Sequence, residues 1–196
     1  MTHKNIVTMA ILTAALAACS GEADGVSPEL LSALNAKNQD CLIAIWDTQS
    51  APDKNFDREH DGIEGGTISC ATDTSPSQFA GAIEAIRLAA DSDDRKAMID
   101  MIGIPLVYLD AEGNRREITA NSDIERMYDD IFSRDLVATM SGLTMQDMAV
   151  KNRTGGYFEL GAVWLAAPQK GARPRIVTIN HQALSEAAAA RDNRPV

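Results

Sequence analysis

Apolar residues recur at intervals of three and four positions in three stretches of the chain, which is the spacing of one helix face. Two of these stretches open on a capping-box sequence, Ser75-Pro76-Ser77-Gln78 and Ser122-Asp123-Ile124-Glu125. The remaining stretch begins at Ser92 and stops at Gly103, just before Pro105, which cannot continue a helix. The predicted helices are 76–90, 92–102 and 122–132, the last continuing or kinking into Asp135–Met140.

Shorter segments rich in β-branched and aromatic residues predict strands. They are Pro105–Leu109, Arg115–Thr119, Met145–Lys151, Tyr157–Ala166 and Arg173–Asn180. The first two strands flank a turn with Gly113, and the last three follow one another without an intervening helix. Consecutive strands with tight turns predict an antiparallel meander covered on one face by the helices, an α+β fold.

Residues 28–75 carry a weaker pattern, which leaves three interpretations open. We expect a helix to about residue 38 and then an irregular segment. One alternative is a single helix over 28–46, since Pro28 suits a first helical turn. The other is that 41–46 and 66–70 are strands joined by an acidic tip. Asp57, Glu59 and Asp61 are spaced like the start of a calcium loop, but the twelfth position is Ile68 where a bidentate carboxylate is needed. A solvated acidic hairpin tip is therefore the interpretation we favour for these acids.

The N-terminus has the pattern of an export signal: Lys4 precedes an apolar run from Ile6 to Ala18. This run ends in Leu16-Ala17-Ala18-Cys19, which resembles the lipobox of bacterial lipoproteins. The resemblance implies cleavage before Cys19, acylation of that cysteine and a membrane anchor facing the periplasm. Ser20, rather than aspartate, follows the cysteine, which by the same resemblance favours the outer membrane.

The chain is therefore predicted to divide into five parts: a signal peptide at 1–18, a flexible tether at 19–27, a disulfide-clamped segment at 28–75, an α+β domain at 76–182 and a tail at 183–196. With Cys19 acylated, Cys41 and Cys70 remain as an even pair in an oxidising compartment, which predicts a disulfide between them. The alternatives are two buried thiols or an intermolecular bridge.

Charge and composition exclude some classes of partner and of chemistry. The sequence has 18 Lys and Arg residues against 28 Asp and Glu residues, for a net charge of -10. This balance argues against nucleic acid as a partner. No phosphate-cradling glycine loop or serine-nucleophile motif occurs, and two mature histidines with paired cysteines can barely supply a zinc site. We therefore predict no cofactor and no metal. The pairs Met98/Met101 and Met145/Met148 suggest Cu(I) ligands, but core packing is the simpler explanation.

The order helix, helix, hairpin, helix and meander over residues 76–182 resembles the nuclear transport factor 2-like fold, a curved cone. Details of sequence add to the resemblance: Ile104-Pro-Leu-Val-Tyr108, Tyr128-Asp-Asp-Ile-Phe132 and Gly161-Ala-Val-Trp164. The resemblance implies a curved antiparallel sheet that encloses one pocket with the helices. Members of this group bind ligands, catalyse reactions or only dimerise, so the fold does not decide the function.

His181, at the end of the last predicted strand, is the candidate general base, paired with Asp147 or Asp100 if these side chains converge. The alternative is a strand-end histidine in solvent. Tyr108, Tyr128 and Trp164 are candidates for lining the pocket, and the alternative is that they are core residues.

The leading functional hypothesis is a lipid-anchored envelope protein that binds a small apolar ligand or an envelope partner without catalysis. A structural or homodimerising lipoprotein and an isomerase- or hydrolase-type enzyme using His181 are the alternatives.

Overall fold

The computed structural model describes residues 40–92 and 94–192, and a six-stranded mixed sheet forms its centre. The strands are β1 (Gly62–Ile63), β2 (Gly66–Thr67), β3 (Ile102–Leu109), β4 (Arg115–Ile118), β5 (Ala149–Lys151), β6 (Gly155–Phe158), β7 (Val163–Ala166) and β8 (Arg175–Asn180). The large sheet has the order β4-β3-β8-β7-β6-β5, and β1 and β2 form a separate hairpin. The α+β class predicted from the sequence is confirmed.

Most of the helices precede β3 or lie between β4 and β5 in the chain, and a last helix follows β8. They are α1 (residues 40–46), α2 (Lys54–His60), α3 (Ile68–Thr72), α4 (Pro76–Asp91), α5 (Arg95–Asp100), α6 (Asn121–Arg126), α7 (Tyr128–Ile131), α8 (Arg134–Ser141) and α9 (His181–Asp192). Two 3-10 turns, Met145–Asp147 and Glu159–Gly161, complete the set of helical elements in the described residues.

The prediction of a wholly antiparallel sheet is wrong at one pair, because β3 and β8 run parallel. Turn signals between consecutive strands fix the meander β5 to β8, which is antiparallel throughout. They say nothing about strands far apart in the chain. The register of β3 with β8 shifts between Ile102 and Val107, where Pro105 lies. Proline has no N–H to give to a neighbouring strand, so an irregularity is where a sheet tolerates it.

The two faces of the sheet differ in burial. Tyr108, Ile179, Val163 and Phe158 are direct cross-strand neighbours and therefore share a face, and all four are buried in the core. The neighbouring row points to the other face and is only half-buried or exposed. It consists of Tyr157, Trp164, Thr178, Val107 and Glu117.

The predicted strand Tyr157–Ala166 is two strands, β6 and β7, separated by a reversal of the chain. Glu159, Leu160 and Gly161 have φ values of 48°, 55° and 92°, which is left-handed backbone. Three such residues in succession end a strand, and the leucine side chain is left 67% exposed. The sequence pattern missed the break because two of these residues are not glycine.

Helix α4 begins at Pro76 as predicted, but the capping box is not formed. The Ser75 side chain makes no cap hydrogen bond; instead Asp57 Oδ1 accepts from the backbone N–H of Ser77 at 2.7 Å. The second capping box also fails, because α6 begins at Asn121 and the residue at the cap position is Ala120, two residues before Ser122. The α5 helix is shorter than predicted, since the Asp94 side chain caps it at Lys96 and Ala97.

Asp57 and Asp61 are buried, at 0% and 5% exposure, so the prediction of a solvated acidic tip is wrong. Helix α2 occupies this position, and residues 40–46 are helical rather than irregular. Asp57 Oδ2 accepts from Trp46 Nε1 at 2.7 Å, while Asp61 accepts from both the N–H and the hydroxyl of Ser69. Burial raises the pKa of the Asp61 carboxyl above its usual value, although the Ser69 hydrogen bonds oppose this.

Cys41 and Cys70 form a disulfide, as the sequence predicted, with an S–S distance of 2.04 Å. The bridge joins α1 to α3. Hydrogen bonds also connect the segment that follows α3 with the rest of the chain. The Thr74 hydroxyl, for example, donates to the Ala172 carbonyl at 2.7 Å. The signal peptide, Cys19, the tether and the helix predicted up to residue 38 all lie outside the described residues.

The tail predicted for 183–196 is a helix over its described part. Residues 183–192 belong to α9, and Ala183, Leu184 and Ala187 are buried. An alanine run without turn or cap signals suggested a fraying end. Its i, i+1, i+4 spacing is that of one helix face packed on the protein.

Replacing Asp57 by alanine is expected to lower the free energy of unfolding by about 3 kcal/mol, because two buried donors, Trp46 Nε1 and the Ser77 N–H, lose their acceptor. Urea denaturation measures the change. Asp129→Ala, which removes an exposed carboxylate paired with Arg95, is the control and should cost below about 1 kcal/mol. Equal losses in the two variants would contradict the role of Asp57.

Candidate functional site

A groove with a volume of about 900 Å³ lies between α8 and α9. Each helix contributes one face to it, with spacings of three and four residues. From α8 come Asp135, Ala138 and Thr139, with Gly142 at its C-terminal cap, and from α9 come His181, Leu184, Ser185, Ala188 and Arg191. The groove is wide because the side chains that face it from both helices are mostly small. We call it the α8–α9 groove.

The floor of the α8–α9 groove is apolar and its rim is charged. Leu143 and Leu184 are 3% and 6% exposed and form the apolar part of the lining. Asp147 lies at the rim, and Arg191 forms an ion pair with Glu159 at 2.5 Å. A site with an apolar floor and charged side chains above it suits a ligand that has both apolar and charged groups.

A second, smaller groove of about 330 Å³ continues from the first. The two share Ala111, Ser133 and His181. The other residues that line the smaller groove are Tyr108, Asp110, Glu112, Arg116, Met127 and Asp130. We call the two together the double groove, and His181 lies at their junction.

The β3–β4 turn reaches this junction because Gly113 allows a tight approach. Gly113 has a φ of 83°, and a β carbon there would lie 2.8 Å from Gln182 Oε1 on α9. Glycine therefore lets the turn adopt left-handed backbone and lie against α9. This contact places Ala111 and Glu112 beside His181.

His181 is half-buried and hydrogen-bonded, not a histidine in open solvent. Its Nε2 lies 2.9 Å from the carbonyl oxygen of Ile131. Since a carbonyl only accepts, Nε2 carries the hydrogen and donates it. The edge-to-face contact with Tyr108, at 5.6 Å between ring centroids, fixes the plane of the imidazole.

Tyr108 anchors the same segment as His181. Its hydroxyl donates to the Asp130 carbonyl at 3.1 Å, next to the carbonyl that His181 binds. Burial raises the pKa of the Tyr108 phenol, and the nearby carboxylates of Asp130 and Asp110 add to the effect. The phenol therefore remains a donor at neutral pH. Tyr108 on β3 and His181 at the start of α9 thus satisfy the carbonyls at the end of α7, which have no partner within the helix.

Of the two carboxylates proposed as partners of His181, Asp147 lies in the same groove and Asp100 does not. Asp147 lines the α8–α9 groove with His181, but its Oδ2 accepts from the Thr144 hydroxyl at 2.5 Å and the Thr144 N–H at 3.2 Å. Asp100 lies at the end of α5, where it forms an ion pair with Lys96 at 2.5 Å. It lines neither part of the double groove.

The three aromatic residues expected around one pocket are not brought together. Tyr108 lines the smaller groove, whereas Tyr128 packs on Phe132 with the Arg95 guanidinium 4.1 Å from its ring centre. Trp164 lies on the opposite face of the sheet, stacked on Tyr157 at 4.7 Å. The alternation of side chains along β7 places it there, while Val163 faces the core.

In residues 40–92 and 94–192, no group of three or more His, Cys, Asp or Glu side chains is placed so that it could hold a metal ion. Met98 and Met148 are each 1% exposed and belong to the core. Within the same residues, no helix is long and apolar enough to span a membrane.

The chain matches no protein-family model, no curated protein and no solved structure. Function must therefore be inferred from the geometry of the site.

Sequence reasoning identified His181, Asp147 and Tyr108 but missed most of the double groove. The residues it missed are chiefly on α8 and α9: Asp135, Ala138, Thr139, Leu184, Ala188 and Arg191. A usable signal was present, because 184, 188 and 191 repeat at helical spacing. Interpreting 183–196 as a tail concealed that helix and with it one wall of the groove.

Replacing His181 by phenylalanine is expected to lower the free energy of unfolding by about 1 kcal/mol, because the ring contact with Tyr108 remains but the Ile131 carbonyl loses its donor. His181→Gln keeps a side-chain N–H donor and should recover part of the loss. Urea denaturation of both variants measures the effect. Stability unchanged in His181→Phe would show that the hydrogen bond does not hold α7.

Proposed function

We propose that the chain is a lipid-anchored envelope protein whose α8–α9 groove binds a ligand or a segment of an envelope partner without catalysis. The groove, with its apolar floor and charged rim, is the observation that carries this proposal. The lipobox-like sequence ending in Cys19 supports the membrane anchor, and the Cys41–Cys70 disulfide agrees with an oxidising compartment such as the periplasm. The outer membrane is the proposed location.

We also propose that residues 76–182 are a variant of the nuclear transport factor 2-like cone. The order of helices, hairpin and meander supports this. The sheet is open and contains one parallel pair, so the variant would be a less closed cone.

Binding is preferred over catalysis because the acid–base groups of the groove are already engaged. His181 Nε2 donates to Ile131 O, and Asp147 Oδ2 caps the turn at Thr144. The enzyme hypothesis keeps one supporting observation, that His181 and Asp147 line the same groove. A general base needs a substrate proton within hydrogen-bond reach, and the remaining imidazole nitrogen, Nδ1, would have to supply it.

Self-association is the second candidate function, and it is supported by the other face of the sheet. Tyr157, Trp164 and Val107 form a half-buried row there, and Ile104 nearby is 43% exposed. An aromatic and aliphatic strip of this kind is typical of protein interfaces.

The anchor is tested by replacing Cys19. We expect the wild-type protein to incorporate labelled palmitate and to lose residues 1–18, whereas Cys19→Ala should carry no label and keep its signal peptide by intact mass. Ser20→Ala is the matched control and should behave as the wild type. Label on Cys19→Ala, or none on the wild type, would contradict lipidation at Cys19.

The groove is tested by native mass spectrometry of residues 20–196 exported to the periplasm. We expect a species heavier than the monomer because of a retained ligand. The fraction of this species should fall in Ala188→Trp, where an indole fills the groove. It should be unchanged in Ala190→Trp, which lies on another face of α9. A monomer mass without addition would contradict a retained ligand. A dimer mass unaffected by either tryptophan would favour self-association.

A further inference from the structure

The double groove carries a strong excess of negative charge. Its lining in the described residues includes six carboxylates, Asp110, Glu112, Asp130, Asp135, Asp147 and Glu159, against two guanidinium groups, Arg116 and Arg191. Six negative and two positive groups leave four net negative charges when His181 is neutral. The whole chain has a net charge of -10, so a small part of the surface holds a large share of it.

Most of these carboxylates form no salt bridge with another side chain among the described residues. Glu159 is the only one of the six that forms a salt bridge in the described residues, with Arg191. Asp110 accepts hydrogen bonds from Asn114 and Glu112, and those from Asn114 lead in lowering the pKa of its carboxyl, so it stays charged at neutral pH. The groove therefore has negative charge that a cationic ligand would neutralise.

The shape of the groove fits a linear ligand. From His181 to Arg191, α9 rises by about 15 Å, and an extended peptide covers that length with about five residues. The smaller groove continues past His181 and would take about two more. Asp135, Ala138 and Ala188 on the walls are exposed, so a chain could enter from the side without an opening motion.

We propose that the double groove binds an extended basic peptide segment of a partner protein. Apolar side chains of the segment lie over Leu143 and Leu184, and lysine or arginine side chains near its ends face Asp135, Asp147 and Asp130. This proposal rests on the proposed binding function and specifies the chemistry of the ligand. In this form of recognition, apolar contacts provide the affinity, and charge complementarity selects basic segments over neutral or acidic ones.

The test uses three heptapeptides that share the core Ala-Leu-Ala-Leu-Ala and carry one neutral fluorophore. Their two ends are both lysine, both glutamine or both glutamate. Fluorescence anisotropy with the mature chain is expected to show the lysine peptide binding about tenfold tighter than the glutamine peptide, since each exposed ion pair contributes about threefold. Raising the salt from about 50 to about 500 mM should remove most of that difference.

Matched variants locate the site. Asp135→Asn and Asp147→Asn are each expected to weaken the lysine peptide by about threefold and to leave the glutamine peptide unchanged. Glu125→Gln removes one charge on exposed α6, outside both grooves, and should change neither. Ala188→Trp should weaken the lysine and glutamine peptides alike, while Ala190→Trp should not.

The outcomes separate this proposal from the function on which it rests. If the three peptides bind equally and Ala188→Trp still blocks them, the cationic preference is overturned and binding in the groove is left intact. If Glu125→Gln reduces the preference for the lysine peptide as much as Asp135→Asn does, the preference comes from the net charge of the protein and not from the groove. No binding of any peptide would overturn both the basic segment and peptide binding in the groove.

Discussion

The parallel pairing of β3 with β8 is the constraint from which the site follows. Tyr108 lies beside Ile179 and Leu109 beside Asn180, so both strands end at the same edge of the sheet. The chain leaves β3 into the turn with Ala111 and leaves β8 into α9 at His181. Antiparallel strands would have put these two exits at opposite edges, and the double groove would not exist.

The same pairing explains how the groove can stay open while the core is closed. Ile176 and Ile179 of β8 are fully buried, so the strand that delivers α9 is fixed in the centre of the sheet. His181 and Tyr108 then hold the end of α7 through adjacent carbonyls, and α8 follows directly. The two helices are thus positioned by the sheet and by hydrogen bonds at their ends. Their facing surfaces need not pack, and small side chains there leave a groove.

Local patterns were sufficient for many of the elements, but they missed α1, α2 and α9, and they did not show how the elements combine. The predicted helix at 76–90 is α4, Pro76–Asp91, and the Cys41–Cys70 disulfide was predicted from the even pair left after Cys19 in a chain expected to be exported. The capping of α4 was not predictable, because Asp57 is twenty positions away and reaches it only through the fold. For the same reason a buried carboxylate looked like part of a solvated tip.

Three residues of the candidate site, His181, Asp147 and Tyr108, were predictable from the sequence, and most of the others were not. A strand-end histidine is visible as a polar residue after an alternating segment, whereas the residues that join it come from the β3–β4 turn, α8 and α9. Their meeting depends on the direction in which β3 pairs, and hydrophobic periodicity contains no information about that direction. The aromatic residues illustrate the limit, because Tyr108 and Trp164 lie on opposite faces of one sheet.

Nuclear Overhauser measurements on the isotope-labelled mature chain test the parallel pairing most directly. We expect contacts that connect Val107 with Thr178 and Tyr108 with Ile179 in increasing order along both strands, together with a contact between the Tyr108 and His181 rings. The opposite order of contacts, or a His181 ring without any contact to Tyr108, would contradict the arrangement on which the double groove depends.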